Sequence, residues 1–99
     1  MKSKKIRDSA RNEECQVRIP GICNFNDETT VAAHIGSGAG MGRKVSDLEI
    51  AYCCSSCHDV LDGRVRDKHH SYDDLLIMGY QGAARTREIL ASKQLINVK

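Results

Sequence analysis

Two stretches in the first half of the chain show the pattern of apolar and polar residues that is typical of β-strands. β-Branched residues are concentrated in 29–35, and Leu48, Ile50 and Tyr52 take every second position in 45–54. A period of two places such side chains on one face of an extended chain. The two stretches therefore predict a β-hairpin, closed by the glycine-rich segment 36–44.

A third alternating stretch precedes the hairpin. Cys15, Val17 and Ile19 are separated by polar residues, and a Pro-Gly dipeptide follows at 20–21. The alternation predicts a short, half-buried strand, and Pro-Gly is a strong turn signal. Such a turn would bring Cys23 back toward Cys15.

Two helices are predicted after the hairpin. The first is expected to begin near Ser55 or Ser56, either of which can cap a helix, and to end at Gly63. The second is expected over roughly 72–92, where apolar residues recur at helical spacing behind the capping residue Ser71. The second helix should cover the hairpin and supply much of the core.

The segments that flank the second helix carry weaker signals. Residues 64–70 form a charged stretch that ends in His69 and His70. Both histidines are interpreted as surface residues without a metal role. Beyond the helix, the apolar residues in 95–98 predict a short edge strand.

The length and composition indicate one small domain that needs a covalent or metal staple. A chain of 99 residues with three Tyr, one Phe and no Trp is expected to have a thin hydrophobic core, and such domains are commonly held by disulfides or a structural metal. Residues 1–13 are basic and show no periodicity, so they are interpreted as a mobile N-terminal arm. Residues 14–99 are interpreted as the single domain.

The five cysteines predict a metal site rather than a disulfide framework. Their number is odd, the first residues lack the apolar segment of a secretory signal, and no apolar run is long enough to cross a membrane. We therefore expect a cytoplasmic protein with reduced thiols. Cys15 and Cys23 form one pair, and Cys54 and Cys57 form another with the two-residue spacing of zinc ligands.

A structural zinc ion bound by these four cysteines is the preferred interpretation, and three alternatives stay open. The thiols could be buried small side chains without a metal. A site of three cysteines and His58 would remove that histidine from other chemistry. Cys53 could take the place of Cys54, although Cys54 alone has the two-residue spacing to Cys57.

If the cysteines bind one metal, His34, His58 and Asp62 remain available for catalysis. His58 and Asp62 are four residues apart, so they share one face of the predicted helix. Together they can hold a divalent cation such as Mg²⁺, Mn²⁺ or Zn²⁺, while the imidazole of His34 deprotonates water. These are the parts that phosphodiester hydrolysis requires.

The charge distribution favours a polyanionic partner. The formal net charge is only +2, but basic residues cluster in the first eleven positions, at 43–44 and at 64–68. Arg43, Lys44 and Arg64 are the candidate phosphate-binding residues. The glycine-rich segment is not a P-loop, because the GK[ST] sequence of that motif is missing.

The pattern of cysteines and histidines resembles that of the HNH, or ββα-metal (His-Me finger), endonucleases over about 15–62. Nearly the whole chain is also similar to the small lambdoid phage and prophage proteins of the YbcO type, which are predicted nucleases. The residues that carry the resemblance are Cys15, Cys23, Ala33-His34-Ile35, Gly40, Asp47-Leu48, Cys54-Ser55-Ser56-Cys57-His58 and Asp62.

The resemblance implies an α+β fold, with a zinc-stapled ββα-metal core at about 15–63 and an extra C-terminal helix. It implies that His34 is the general base, that Asp47 orients it, and that His58 and Asp62 bind the catalytic metal. Two positions depart from the family pattern. Ala33 stands where the family usually has another metal ligand, and Asp47 or Ser46 stands where it has the middle Asn.

The function predicted on these grounds is a metal-dependent DNA endonuclease, acting in phage or prophage DNA replication, recombination or packaging in the cytoplasm of a bacterial host. The main alternative is a zinc-stabilised nucleic-acid-binding module with an inactive HNH site. A third possibility is a zinc-containing adaptor for other proteins. Residue 33 bears most directly on this choice, since a site with two protein ligands would depend on water and substrate phosphate to complete the coordination of Mg²⁺.

Overall fold

The computed structural model describes residues 3–35 and 49–96, which form a small α+β fold. The elements are α1 (Lys4–Asp8), β1 (Val31–His34), β2 (Ile50–Cys53), α2 (Ser55–Leu61) and α3 (Tyr72–Ser92), with a 3-10 turn at Asp27–Thr29. Within these ranges, no helix has both the length and the apolar character needed to cross a membrane.

The predicted pairing of β1 with β2 is confirmed. The strands are antiparallel, with Val31 opposite Cys53 and His34 opposite Ile50. The segment 36–44, which was expected to close the hairpin, lies outside the described residues. The pairing places His34 at the end of β1, and β2 leads directly into α2.

Strand β2 is buried on both faces. Ala51 and Cys53 belong to the apolar cluster around the cysteines, whereas Ile50 and Tyr52 belong to a second cluster. A period of two therefore sorts the side chains of β2 between two clusters rather than between core and solvent. The second cluster needs a cover of its own, and α1 supplies part of it.

The prediction of a mobile arm at 1–13 is wrong for the described part of that segment. Ser3 caps α1 by accepting the N–H of Ile6 at 3.3 Å. Ile6 and Ala10 are 1% and 2% exposed and pack with Tyr52 and Leu90. Ile6 is the one buried residue within α1, and Ala10 follows the helix, so these apolar residues are too few to produce a visible period.

The long helix α3 has the predicted bounds and the predicted cap, in which Ser71 Oγ accepts the N–H of Asp74 at 3.1 Å. A buried hydroxyl joins α3 to the sheet. Thr86 Oγ1 accepts the N–H of Tyr52 at 2.9 Å and donates to the carbonyl oxygen of Gly82 at 2.8 Å. The helix thereby satisfies a backbone donor of β2 that would otherwise be buried without a partner.

The segment 15–19 does not form the predicted strand. Gln16 N donates to the carbonyl oxygen of Tyr52 at 2.7 Å, but Arg18 has a φ of 55°. A left-handed residue interrupts an extended chain and turns this segment around the cysteines. The predicted turn after it is confirmed, with Gly21 at a φ of 76°.

The predicted edge strand at 95–98 is not present in its described part. Leu95 N donates to the carbonyl oxygen of Leu90 at 2.9 Å. Leu95 and Ile96 then fold back against the second apolar cluster. The chain reverses at Gln94, which has a φ of 60°, so these apolar residues cover α1 and α3 instead of pairing with a strand. Residues 97–99 lie outside the described ranges.

Gly82 allows α3 to approach the segment 15–19, and Gly82→Ala is expected to destabilise the protein by about 1–3 kcal/mol. A Cβ there would lie 2.7 Å from Val17 Cγ2 and 3.0 Å from Val17 Cα. Gly79→Ala is the matched control, because its Cβ would lie 3.4 Å from Ile35 Cγ2 and alanine favours the helix by roughly 1 kcal/mol. The free energy of unfolding of both variants is measured in urea. An equal loss of stability in the two variants would contradict the prediction.

Candidate functional site

The cysteine sulfurs of two separate segments meet at one point. The Sγ atoms of Cys15, Cys23, Cys54 and Cys57 all lie within 4.8 Å of one another, and Cys23 and Cys54 are 3.8 Å apart. Four thiolates at about 2.3 Å from a tetrahedral ion are separated by roughly 3.8 Å. The four cysteines therefore fit a structural metal ion.

Local structure on each side presents the sulfurs to this point. Cys15 Sγ accepts the N–H of Arg18 at 3.5 Å, and the turn at 19–23 brings Cys23 back with its N–H on the carbonyl oxygen of Ile19 at 2.9 Å. These contacts fold the longer spacing between the first two cysteines into a compact loop. The expected approach of Cys23 to Cys15 is thus confirmed.

The second pair of cysteines is held by the start of α2. The cap of this helix is Cys54, whose Sγ accepts the N–H of Cys57 at 3.4 Å, and not Ser55 or Ser56 as predicted. A sulfur at this position takes the place of the usual capping oxygen. The two serine hydroxyls lie instead 3.2 Å from the side-chain amide nitrogen of Asn24, next to Cys23.

Without a cation, the neighbouring thiols shift one another's pKa in opposite directions. Burial raises the pKa of Cys23 to about 11. The hydrogen bond to Cys15 raises the pKa of Cys57, while thiol hydrogen bonds from Cys53 and then Cys57 lower the pKa of Cys15. One thiolate supported by neighbouring thiols is the arrangement that these shifts describe. A bound cation would allow all four sulfurs to ionise.

The geometry distinguishes among the alternatives for the cysteine cluster. All five cysteines are free of disulfide bonds. Cys53 is buried beside the cluster but does not belong to the set of four sulfurs that could share an ion, and neither does His58. The side chain of His58 contacts Asp62 instead, with Nε2 and Oδ2 3.2 Å apart.

A pocket of about 860 Å³ lies between the end of β1, α2 and the beginning of α3. His34, His58 and Asp62 all line it. Three side chains that are separated in sequence by up to 28 positions (34 to 62) are thus brought to one cavity. Apolar side chains of α2 and α3, among them Leu61 and Leu75, form another part of its wall.

His58 and Asp62 form a pair on one face of α2 and its C-terminal cap, as their spacing predicted. Their side chains are 28% and 39% exposed, so both reach solvent. Arg64 lies with its Nη2 3.7 Å from Asp62 Oδ2. This candidate phosphate-binding residue therefore contacts the carboxylate of the pair.

His34 lies at the exposed end of β1, beside buried Ala33, which also lines the pocket. The methyl group of Ala33 offers no ligand atom. Within 3–35 and 49–96, the cysteine set is the one group of three or more His, Cys, Asp or Glu side chains placed to share an ion. His34 therefore shares the pocket with His58 and Asp62 without joining them around a single ion. Three other predicted site residues, Arg43, Lys44 and Asp47, lie outside the described residues.

The sequence interpretation missed three side chains in the loop before α3. Arg66, Asp67 and His70 all line the pocket. The prediction that His70 is a surface residue is wrong, because its side chain is 16% exposed and its Nδ1 lies 2.5 Å from Asp67 Oδ2. His69 is exposed, as predicted. The Asp-x-x-His spacing at 67–70 was the available signal.

The chain is similar over nearly its whole length to proteins that carry the word nuclease in their names. A family model described as "Putative nuclease YbcO" matches residues 4–94. "Putative nuclease YbcO" of Escherichia coli (strain K12) and "Putative nuclease ybcO" of Enterobacteria phage 82 are each 42% identical over 93 residues, covering 92% of this chain and 95% of theirs.

A solved structure has the same fold. It is described as "Structure of a putative bacteriophage protein from Escherichia coli str. K-12 substr. MG1655" and matches with a TM-score of 0.77 at 41% identity. The match covers 91% of this chain and 100% of the other. The fold similarity therefore extends over most of this chain and over the whole of the other.

Proposed function

The chain belongs to the YbcO family, whose members are named as nucleases, and on that premise we propose that it is a metal-dependent endonuclease that hydrolyses phosphodiester bonds in DNA. The observation that carries this proposal is the pocket that His34, His58 and Asp62 line together. A general base and a pair of cation ligands are the minimum set for such a reaction.

Each of the three side chains has a separate role in this proposal. His34 takes the proton of the attacking water on an imidazole nitrogen. His58 Nε2 and Asp62 Oδ2, already 3.2 Å apart, hold Mg²⁺, Mn²⁺ or Zn²⁺. An ion held by these two side chains would supply positive charge against the charge that develops on the phosphate and the leaving oxygen.

The arrangement of β1, β2 and α2 supports placing the chain among the HNH, or ββα-metal, endonucleases. In that assignment Asp47 orients His34, and Arg43, Lys44 and Arg64 bind substrate phosphate. Arg64 lies 3.7 Å from Asp62, so it would also restrain a metal ligand. Phage or prophage DNA replication, recombination or packaging in the host cytoplasm is the proposed setting.

The cysteine cluster has a structural role in the proposal, with Zn²⁺ as its ion. Four thiolates in tetrahedral arrangement are the typical ligands of structural zinc. The cluster joins the segment 15–23 to the start of α2, and His58 follows the ligand Cys57 directly. The zinc would therefore fix the helix that carries the catalytic ligands.

A nucleic-acid-binding module without activity is the second candidate, and Ala33 favours it. Where the HNH pattern has another metal ligand, this chain has a buried methyl group. A catalytic ion would then rest on two protein side chains and otherwise on water and substrate. Such a site binds its ion weakly, and a chain that has lost the ion could still bind DNA.

Cleavage assays separate the two candidates. Purified protein is incubated with supercoiled, linear, single-stranded and branched DNA in the presence of Mg²⁺, Mn²⁺ or Zn²⁺, and DNA binding is measured in parallel. We expect cleavage of at least one form, with no cleavage in excess chelator. Binding without cleavage under every ion would contradict the nuclease proposal and support the binding module.

A further inference from the structure

We infer that His70, held by Asp67, is the group that protonates the leaving oxygen in the hydrolysis proposed above. The inference rests on that proposed function and assigns a second proton-transfer residue to the same pocket. His70 lies in the loop before α3, and both His70 and Asp67 line the pocket together with His34, His58 and Asp62.

The contacts of Asp67 fix the orientation of the His70 ring. Oδ2 of Asp67 lies 2.5 Å from His70 Nδ1, and Oδ1 accepts the backbone N–H of His69 at 3.0 Å. The two side chains are only 16% and 2% exposed. Because Nδ1 faces a carboxylate, Nδ1 carries a proton, and Nε2 is the nitrogen that remains to act on a substrate.

The carboxylate is held in its ionised form. The backbone N–H of His69, followed by the interaction with His70, lowers the pKa of Asp67. Asp67 therefore accepts a hydrogen bond from the ring and does not compete with it as a proton donor. A positioned acceptor on one ring nitrogen with the other nitrogen directed to the reaction is the arrangement of an acid–base histidine.

The position of His70 argues for proton transfer rather than metal binding. The same carboxylate–histidine arrangement occurs behind metal ligands. Within 3–35 and 49–96, however, His70 is not part of any group of three potential ligands that could share an ion with His58 and Asp62. His70 thus lines the same cavity without reaching the pair that is proposed to hold the catalytic cation.

His34 and His70 account for the two proton transfers that the hydrolysis requires. A water oxygen bonds to phosphorus while His34 accepts its proton, and the bond from phosphorus to one bridging oxygen breaks. His70 enters the step as an imidazolium, with Nδ1–H on Asp67, and gives its Nε2 proton to that oxygen, which leaves as an alcohol. The other charged or titratable groups that line the pocket are His58, Asp62, Arg66, Asp67 and Tyr72.

A substrate with a better leaving group provides the test. DNA oligonucleotides that carry sulfur at the 3′-bridging or the 5′-bridging position of one linkage are compared with all-oxygen DNA, in Mn²⁺. His70→Ala is expected to cleave the all-oxygen linkage about 100-fold more slowly than wild type or worse. It should cleave the linkage with sulfur in the leaving position at close to the wild-type rate, because a thiolate leaves without a proton.

Two further variants keep the test independent of folding. His70→Asn retains a side-chain group that can contact Asp67, so it serves if His70→Ala is unfolded by circular dichroism. Asp67→Asn, a change in the positioning residue, should show a smaller loss that sulfur also rescues. His69→Ala is the matched control, since the exposed side chain lies outside the pocket lining while its backbone N–H is kept.

The outcomes separate this inference from the proposed function. Cleavage of both linkages at equally reduced rates by folded His70 variants would overturn it, because the histidine would then have a structural or ligand role. Full activity of His70→Ala on all-oxygen DNA would also overturn it, while the proposed function stood. Wild-type protein that cleaves neither substrate would overturn the proposed function and this inference with it.

Discussion

Replacing Cys57 by serine is expected to release the structural metal and to unfold most of the domain. Cys57 is fully buried, belongs to the four-sulfur cluster and lies in the first turn of α2. Structural zinc sites contribute about 10–16 kcal/mol of binding free energy. That exceeds or matches the 5–15 kcal/mol by which a typical domain is stable, so the variant should not keep its fold. Elemental analysis and circular dichroism measure the two losses.

Cys53→Ala is the matched control for this prediction. Cys53 is equally buried and lies next to a proposed ligand, but it stands outside the four-sulfur set. Loss of its sulfur leaves a small cavity that costs roughly 1 kcal/mol, and the metal content should stay at about one ion per chain. The ligands are wrongly assigned if the Cys53 variant lacks metal while the Cys57 variant is folded and contains metal.

The second large effect is expected from His34 and His58, two of the three histidines that line the pocket. His34→Ala should lower the rate of DNA cleavage about 100- to 10,000-fold at any metal concentration, because the proposed general base is gone. His58→Ala should require a higher concentration of Mg²⁺ or Mn²⁺ for its remaining activity, because one of the two proposed protein ligands is missing. Cleavage rates measured across a titration of each ion distinguish these effects.

The exposure of His34 and His58 indicates that alanine at either position should leave the protein folded. His34 is exposed at the end of β1, and His58 is half-buried and contacts Asp62, so neither variant should unfold. His69→Ala removes an exposed imidazole outside the pocket lining and should cleave at the wild-type rate. If His34→Ala cleaves as fast as wild type, His34 is not the base. If His58→Ala shows an unchanged metal requirement, the cation is held elsewhere.

The elements that the sequence predicted well are those with a regular apolar period along the chain. Helix α3 has both a capping pair, Ser71 and Asp74, and a long apolar period, and its bounds are those predicted. The strands β1 and β2 also lie within their predicted stretches. In each case the local pattern and the tertiary packing require the same structure, so the local pattern is sufficient.

The elements that the sequence predicted poorly depend on contacts between distant segments. The alternation at 15–19 is typical of a strand, but the chain turns at Arg18, beside the cysteine cluster. Helix α1 has five residues, and its one buried apolar side chain, Ile6, packs against Tyr52 and Leu90, which are distant in the sequence. The pattern of apolar and polar residues along the chain does not reveal either of these contacts.

In the candidate site, too, the features set by local spacing were predicted and those set by contacts between distant segments were not. The Cys-x-x-Cys spacing and the four-residue spacing of His58 and Asp62 are local, and the structure has both arrangements. The histidine doublet at 69–70 offered one local signal, the three-residue spacing of Asp67 and His70, and that spacing alone does not predict a pocket. His70 faces the pocket because Asp67 holds its ring, and membership of the pocket depends on how the loop before α3 lies against α2.

The central claim is that one small domain separates a tightly held structural metal from a weakly held catalytic ion. Its most direct test is a single sample of wild-type protein, dialysed against chelator, in which metal content and DNA cleavage are both measured. We expect about one zinc per chain, a folded protein and no cleavage, with cleavage restored by added Mg²⁺ or Mn²⁺. Full cleavage by the protein with its one zinc alone, or no cleavage with any added ion, would contradict the claim.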